Sequence, residues 1–493
     1  MEAYEETRPI FQNISPIDHR YSVSEAPLYR ALSSWLSEEA AITANVKAEI
    51  ALALAHLKVR GKLNGRLREA LEKAGRDLSP AEVYAEEEKT RHNIRALVNV
   101  LKRKVPPELS PLIHLGATSA DILDTGLAWR VRGVVRAVLL PELRRLELLL
   151  CDFTGREAET PQVGRTHGQH AVPITVGFAM AEYVSRLGKS ILEIERLAGQ
   201  LRGKLAGAVG AYNAASMIVK DPEELERLYL GELDLEPSEH STQLVEPEYL
   251  LRLLLEMNVA FGIIANLADD LRNLQRSEIG ELREGFSADQ VGSSTMPQKR
   301  NPWNSEHVKS LWKAFMPRAL SFFMDQISEH QRDLSNSASQ RFVADYIAGF
   351  SLAVSRMAGV IEGLGVDRER ALANLLGGGP AGQGNIPGGI LAESAYILLA
   401  ESGAGDAHEI IRRITITAEK ERISFAAALR GEEELLRRIG EKMTELGLIS
   451  HPGSALSWFE RPEQYRGLAV KKAKELAAKY RKLMGGEASP LTP

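Results

Sequence analysis

Cysteine is almost absent from this chain: Cys151 is the only one in 493 residues. An intrachain disulfide and a multi-cysteine metal site are thereby excluded. The thiol lies in LELLLCDF, a run of helical spacing, and reads as a buried apolar side chain. An excess of positive charge is missing too: 61 Lys and Arg face 66 Asp and Glu, giving a formal net charge of -5 and a pI near 6.2. Nucleic acid, which favours a basic stripe, is not an expected partner, and any anionic ligand has to be held by local basic groups. The opening MEAYEETRPIFQ is acidic without an apolar core, so no secretory signal is expected. No unbroken apolar run of about 18 residues marks a membrane span. The expectation is a cytoplasmic protein with no membrane partner. Internal repeats and low-complexity blocks are lacking, and alternating strand patterns are nearly so.

What the chain has in abundance is helical periodicity. With 44% apolar and 26% charged residues it can bury a large core and should divide into two or three domains. Apolar residues recur three and four apart almost throughout, which predicts an all-α fold. From Ala26 to Val59 the series Leu32, Leu36, Ala40 and Ile42 onward to Leu57 predicts at least one long helix, with turns near Gly61 and Gly65. The longest periodic runs cover 127–138, 178–201, 254–274 and 308–323, as in a helix bundle whose buried seams can also join subunits. Pro141 and Pro317 should kink or break two of them. The expected division is a first helical domain over 1–115, a long-helix bundle over 116–370 and a C-terminal helical domain over 371–493. The glycine-rich stretch 377–389 matches nothing assignable, and the tail GGEASPLTP, without an apolar face, is expected to fray.

One stretch cannot be a regular helix. GSSTMPQKRNP at 292–302 packs hydroxyls, a lysine and an amide between a polar segment and a run that returns to helical spacing from Trp303. The expectation is a mobile loop that closes over a ligand and feeds a helix. Asn301-Pro302 reads as the helix start, because proline at the first helical position gives up an N–H that would be unpaired anyway. The free N–H groups of that turn, the helix dipole and Lys299 would suit a carboxylate or phosphate, and Gly292-Ser293-Ser294 can expose successive amides to an anion. Four of the eleven histidines, His92, His114, His167 and His170, fall in or beside polar segments, where a proton carrier is useful. His167 and His170 are three apart, yet no third ligand and no HExxH pattern accompany them, so no metal is expected. By itself, QRDLSNSASQR at 331–341 is a helix start capped by Ser335 or Ser337, with solvated arginines.

GSSTMPQKRNP is similar to GSSxMPxKxNP, the signature of the fumarase/aspartase superfamily. HLGATSADILDT at 114–125 and GRTHGQHAVPITVG at 164–177 resemble two further segments of that superfamily, in the same order. Within it, these two segments and ISPIDHRYS at 14–22 resemble the adenylosuccinate lyases, strongly to about residue 345 and more weakly beyond. The resemblance implies an all-α homotetramer with a long central bundle, active sites shared between subunits, and no cofactor. It implies a carbon–nitrogen lyase of purine biosynthesis that eliminates fumarate from adenylosuccinate, giving AMP, and from SAICAR, giving AICAR. By the same resemblance His167 is the general acid, Ser293 the base, and Glu306 the carboxylate that orients the acid. Lys299 and Asn301 would bind the succinyl carboxylates, with Thr118, Ser119, Thr166 and Gln169 around the same part. His92 with Asn93, His114 and Gln243 match further substrate contacts. Arg20, Tyr21, Arg332, Ser337 and Arg341 match the phosphate end, where a guanidinium fork can bond two oxygens at once.

Two departures stand out. Asn93 follows His92 where the family usually has aspartate, and Leu244 to Glu248 replace an arginine–aspartate pair. The alternatives are another lyase of the superfamily or a 3-carboxymuconate cycloisomerase, which would have no phosphate to hold, and a non-enzymatic helical scaffold, against which the intact Ser293, His167 and Lys299 stand. The implied chemistry explains the residue types. Cleaving a C–N bond beta to a carboxylate removes a weakly acidic C–H proton and leaves a dianion, so fixed positive charge is needed there. A serine hydroxyl can serve as base only if nearby amides and a cation lower its pKa strongly. Loop closure supplies dryness and proximity.

Overall fold

The computed structural model describes residues 9–286, 292–377 and 386–485; most of the 377–389 glycine stretch and the tail expected to fray lie outside them. In chain order the main elements are α1 (Ala26–Leu36), α2 (Glu38–Val59), α3 (Asn93–Lys104), α4 (Ser119–Val134), α5 (Leu140–Arg156), β1 (Pro161–Thr166), β2 (Gln169–Thr175), α6 (Val176–Gly199), α7 (Glu248–Leu274), β3 (Leu282–Arg283), α8 (Trp303–Phe315), α9 (Arg318–Met324), α10 (Val343–Glu362), β4 (Gly365–Val366), α11 (Arg368–Leu375) and α12 (Ala469–Leu483). The all-α expectation holds. Among the described residues, strands form only two-stranded pairings: β1 with β2 and β3 with β4 antiparallel, and Arg202–Gly203 with Glu236–Pro237 parallel.

The long run from Ala26, expected to hold at least one long helix, holds two, α1 and α2. Ser37 is extended and its hydroxyl accepts the Ala40 N–H at 3.2 Å, capping α2, while Glu38 and Glu39 complement the positive end of the helix. Beyond that cap α2 is buried on every side from Ala48 to Leu57, apolar there except for Glu49 and His56, as a central helix must be. Both prolines act as their ring chemistry requires. Pro141 sits in the first turn of α5, directly after a widened π turn at Val135–Leu139 that continues α4, and Pro317 separates α8 from α9. By length and composition Ala26–Val59 and Glu248–Leu274 could cross a membrane, but 78% and 56% of their most apolar windows is buried inside the protein, as in core helices.

The chain forms two compact units, neither continuous in sequence: residues 1–144, 189–262 and 310–355 make the first, and 145–188, 263–309 and 356–493 the second. In the first, α2 packs on α4. In the second, α11 packs on β1, and residues 391–459 enclose an apolar core of their own around Leu399, Phe425, Ile439 and Phe459. Cys151 is buried, as its run suggested, and burial with the Glu147 carboxylate nearby pushes its thiol up to about 12. Glu147 has no exposed surface and among the described residues neither of its oxygens has a hydrogen-bond partner, so burial holds its carboxyl well above the usual range.

Candidate active site

In the first unit, helix starts supply most of the polar groups. A groove of about 780 Å³ is lined by His92, Asn93, Thr118, Ser119, Gln243, Ser337 and Arg341, brought together from four separate stretches. That volume suits a nucleotide-sized ligand. Thr118 caps α4 in a capping box: the Asp121 carboxylate accepts the Thr118 N–H at 2.8 Å. The other Asp121 oxygen accepts the Lys204 ammonium and the N–H groups of Ala206 and Gly207 at 3.2 and 3.3 Å. Asp121 and Lys204 are both without exposed surface, so a buried ion pair fixes the turn that carries Thr118 and Ser119. His92 caps α3 through Nδ1, which accepts the Arg95 N–H at 3.3 Å. A ring nitrogen that accepts is unprotonated, which puts the proton of the neutral ring on Nε2.

The Gln243 N–H donates to the Gln331 carbonyl at 3.1 Å, tying two loops of the groove wall together. The 331–341 segment is not the capped helix start that its composition suggests. Ser335 donates its hydroxyl to Asp333 at 2.6 Å, and helix α10 begins only at Val343, after a 3₁₀ turn at Ser339–Phe342. Arg20, Tyr21, His114 and Arg332 are not among the walls of the groove. Arg20 is exposed in a π turn at Ile17–Tyr21, and Arg332 turns back to donate to the Gln326 carbonyl at 2.7 Å and the Ser328 hydroxyl at 3.0 Å. His114 holds a left-handed backbone, φ 63°, and its Nδ1 meets Glu49 at 2.7 Å. Glu49 is fully buried and among the described residues its second oxygen has no hydrogen-bond partner, a carboxylate committed to that imidazole.

In the second unit the chemistry-bearing residues sit on turns. His167 and Gly168 are the central pair of the tight β1–β2 hairpin, with Thr166 opposite Gln169 and Arg165 opposite His170. Their φ values, 55° and 75°, are those of a type I′ turn. Glycine adopts this freely; for His167 it costs about 1 kcal/mol or more, strain of the kind that collects at functional sites. Thr166, His167 and Gln169 are all exposed. The hairpin is anchored by Glu281, which has no exposed surface and accepts from Arg165 at 2.5 and 3.1 Å, Gln162 at 2.7 Å and Asn374 at 2.8 Å. Burial and the Arg165 guanidinium hold His170 below its usual value, against the pull of Glu281.

The signature loop folds on itself. A Cβ on Gly292 would lie 2.2 Å from the Lys299 carbonyl oxygen, so glycine is required, and the Asn301 amide closes the loop by donating to the Gly292 carbonyl at 2.9 Å. The Ser293 hydroxyl oxygen accepts the N–H of Met296 at 3.1 Å and of Thr295 at 3.4 Å. Two amides aimed at one oxygen favour its ionised form. The expectation for the helix start is corrected in one respect. Helix α8 begins at Trp303, and its first amides are not free: Glu284 accepts the N–H of Ser305 at 2.8 Å and of Asn304 at 3.3 Å, along with both side chains. The anion at that helix end is the chain's own carboxylate. Glu306 is exposed, and among the described residues no hydrogen bond or ion pair joins His167 to Ser293, Lys299 or Glu306.

Sequence patterns missed Glu49, Asp121, Lys204, Glu281 and Glu284. The last two lie in EIGELREGF, where acidic residues three apart look like a solvated face. Among the described residues no three His, Cys, Asp or Glu side chains converge where a metal ion could sit.

The family model described as lyase matches residues 19–314. The adenylosuccinate lyase of Pyrococcus abyssi is 32% identical over 92% of this chain and 95% of its own length. That of Archaeoglobus fulgidus is 29% identical over 92% and 96%. Among solved structures, the 3-carboxy-cis,cis-muconate lactonizing enzyme of Pseudomonas putida matches with a TM-score of 0.76 at 23% identity, over 92% of this chain and 97% of its own. A fumarate lyase from Mesorhizobium sp. BNC1 matches at 0.75 and 21%, over 90% and 97%. At such identity the two structures speak for the fold alone.

Proposed function

This chain belongs to the lyase family, with the adenylosuccinate lyases of the fumarase/aspartase superfamily, and on that premise we propose that it eliminates fumarate from adenylosuccinate, leaving AMP, and from SAICAR, leaving AICAR. The observation that carries the reading is the Ser293 turn, in which a hydroxyl oxygen collects two backbone N–H groups in the same loop as Lys299, six residues on. Ser293 removes the proton from the carbon next to the succinyl carboxylate. The electron pair moves onto that carboxylate, where Lys299 and Asn301 meet the developing charge. The C–N bond then breaks as His167 delivers a proton to the departing nitrogen. Glu306 orients that imidazole, and Thr166 and Gln169 flank it.

The groove takes the rest of the substrate through His92, Asn93, Thr118, Ser119, Gln243, Ser337 and Arg341, while Arg20, Tyr21 and Arg332 complete the phosphate end and His114 is a further substrate contact. We infer a cytoplasmic homotetramer whose sites draw residues from more than one copy, and keep 1–115, 116–370 and 371–493 as its proposed domains. The test is direct: purified protein is incubated with adenylosuccinate and fumarate formation is followed. Rapid fumarate release supports the reading; none, with 3-carboxymuconate turned over instead, would replace it. Mixing inactive Ser293→Ala and His167→Ala proteins should restore some activity, and no recovery after verified subunit exchange would remove the shared site.

A further inference from the structure

We propose that Asp124 is a positioning residue of this site, holding the Gln243–Val245 turn, and with it Gln243, at the groove wall. The inference rests on the groove being the place where the nucleotide end of the substrate binds. Asp124 lies on α4, just over one helical turn beyond Ser119, and its carboxylate accepts the Val245 N–H at 2.9 Å. Helix α4 is held at its start by the buried Asp121–Lys204 pair, so it is a rigid post. The turn's other ties are local or run to irregular chain: Ser241 and Val245 bridge across it, and the Ser238 hydroxyl donates to the Glu246 carboxylate at 3.0 Å. Thr242 donates to the Leu244 carbonyl at 3.2 Å within the turn, and Gln243 donates to the carbonyl of Gln331, in another irregular loop. A charge-assisted hydrogen bond from helix to turn and a backbone bond from turn to second loop therefore join three stretches far apart in sequence.

Asp124 also lines a second, smaller cavity of about 70 Å³ that shares Leu127, Leu244, Asn336 and Gln340 with the groove. That space holds about two waters, too few for a ligand, so the carboxylate serves the turn rather than a second site. The tie uses a backbone N–H, which explains why it tolerates Leu244 to Glu248 in place of the family's usual residues: any residue but proline at 245 would donate. Burial pushes the Asp124 carboxyl up to about 6, helped by Asp121 on the same helix and opposed by the Val245 N–H and by Lys204. The other charged or titratable groups lining the groove and the cavity are Arg130 on its own helix, Glu38, Glu87, Arg91, His92, Arg202, Glu246 on the turn, Asp325 after α9, and Arg341. Protonation weakens the acceptor, so the tie should loosen as pH falls through about 6.

The experiment compares wild type, Asp124→Asn and Asp124→Ala by KM and kcat on adenylosuccinate from about pH 5 to 8, and by amide hydrogen exchange over residues 241–247. Wild type should show KM rising below about pH 6. Asp124→Asn, which keeps an oxygen acceptor but cannot titrate, should lose that rise. Asp124→Ala should raise KM about tenfold at neutral pH, with kcat within about twofold, and speed exchange at 241–247. Unchanged KM and exchange in Asp124→Ala, or an acid rise that persists in Asp124→Asn, would overturn the proposal. If the alanine variant does not fold, the asparagine pH profile decides. Faster exchange in Asp124→Ala, found together with a wild type unable to release fumarate, would instead sink the functional reading and leave the tie standing.

Discussion

The two units hold their functional groups in different ways. In the first, Thr118 and His92 are helix caps, so each side chain is fixed by a backbone bond it makes anyway. In the second, His167 and Ser293 stand on turns, one with a left-handed backbone, the other collecting amides. Caps suit recognition, where a group must be rigid and can be nearly neutral in cost. Turns suit chemistry, where exposure and a perturbed electronic environment are needed, and a buried carboxylate such as Glu281 must then supply the rigidity from behind.

The contrast can be broken most severely at Ser293. Alanine there should lower kcat by at least about 100-fold with little change in KM, because the group acts in the transition state. Equal turnover in a steady-state assay would take the base role from it. Glu281→Leu leaves Arg165 without its buried partner and should cost about 3–5 kcal/mol in chemical denaturation; a loss below about 1 kcal/mol would show that the hairpin is held elsewhere. Gly168→Ala forces a side chain into a backbone of φ 75° and should cost about 1–2 kcal/mol while lowering kcat more than it changes KM, since the imidazole next door is displaced. A cap substitution such as Thr118→Ala should show the opposite split, a raised KM with kcat nearly intact.

The smallest effect concerns Glu147. Its folded pKa is raised, so its contribution to stability is complete below the unfolded value of about 4.3 and is lost as pH rises toward the folded one. Glu147→Gln removes that penalty. The variant should melt higher than wild type at pH 7 and lose the advantage near pH 4, as thermal denaturation at both would show; an advantage independent of pH would assign the gain to packing.

How much of this was legible beforehand follows from what a pattern can encode. The long helices were, because a helix that buries one face or all of them must repeat its apolar residues, and α2, α6 and α7 do. The widened turn before Pro141 and the break at Pro317 were also legible, since they follow from one ring. The β1–β2 hairpin was not: VGRTHGQHAVPIT mixes polar and apolar residues without clean alternation, and only Gly168 signals the turn. In the site, the signature loop and the histidine motif could be named. That Glu284 already occupies the start of α8 could not, because a partner twenty residues away leaves no local mark.

That last feature has an outcome for how the succinyl end is recognised. A dianion arriving at the signature loop meets a helix two of whose foremost amides are spoken for, and on the proposed reading it would be held by side chains, Lys299 and Asn301 foremost. Recognition built on backbone geometry is indifferent to most mutations. Recognition built on two side chains can be redirected by one or two codon changes, which makes this loop the place where a related acid would first gain admission.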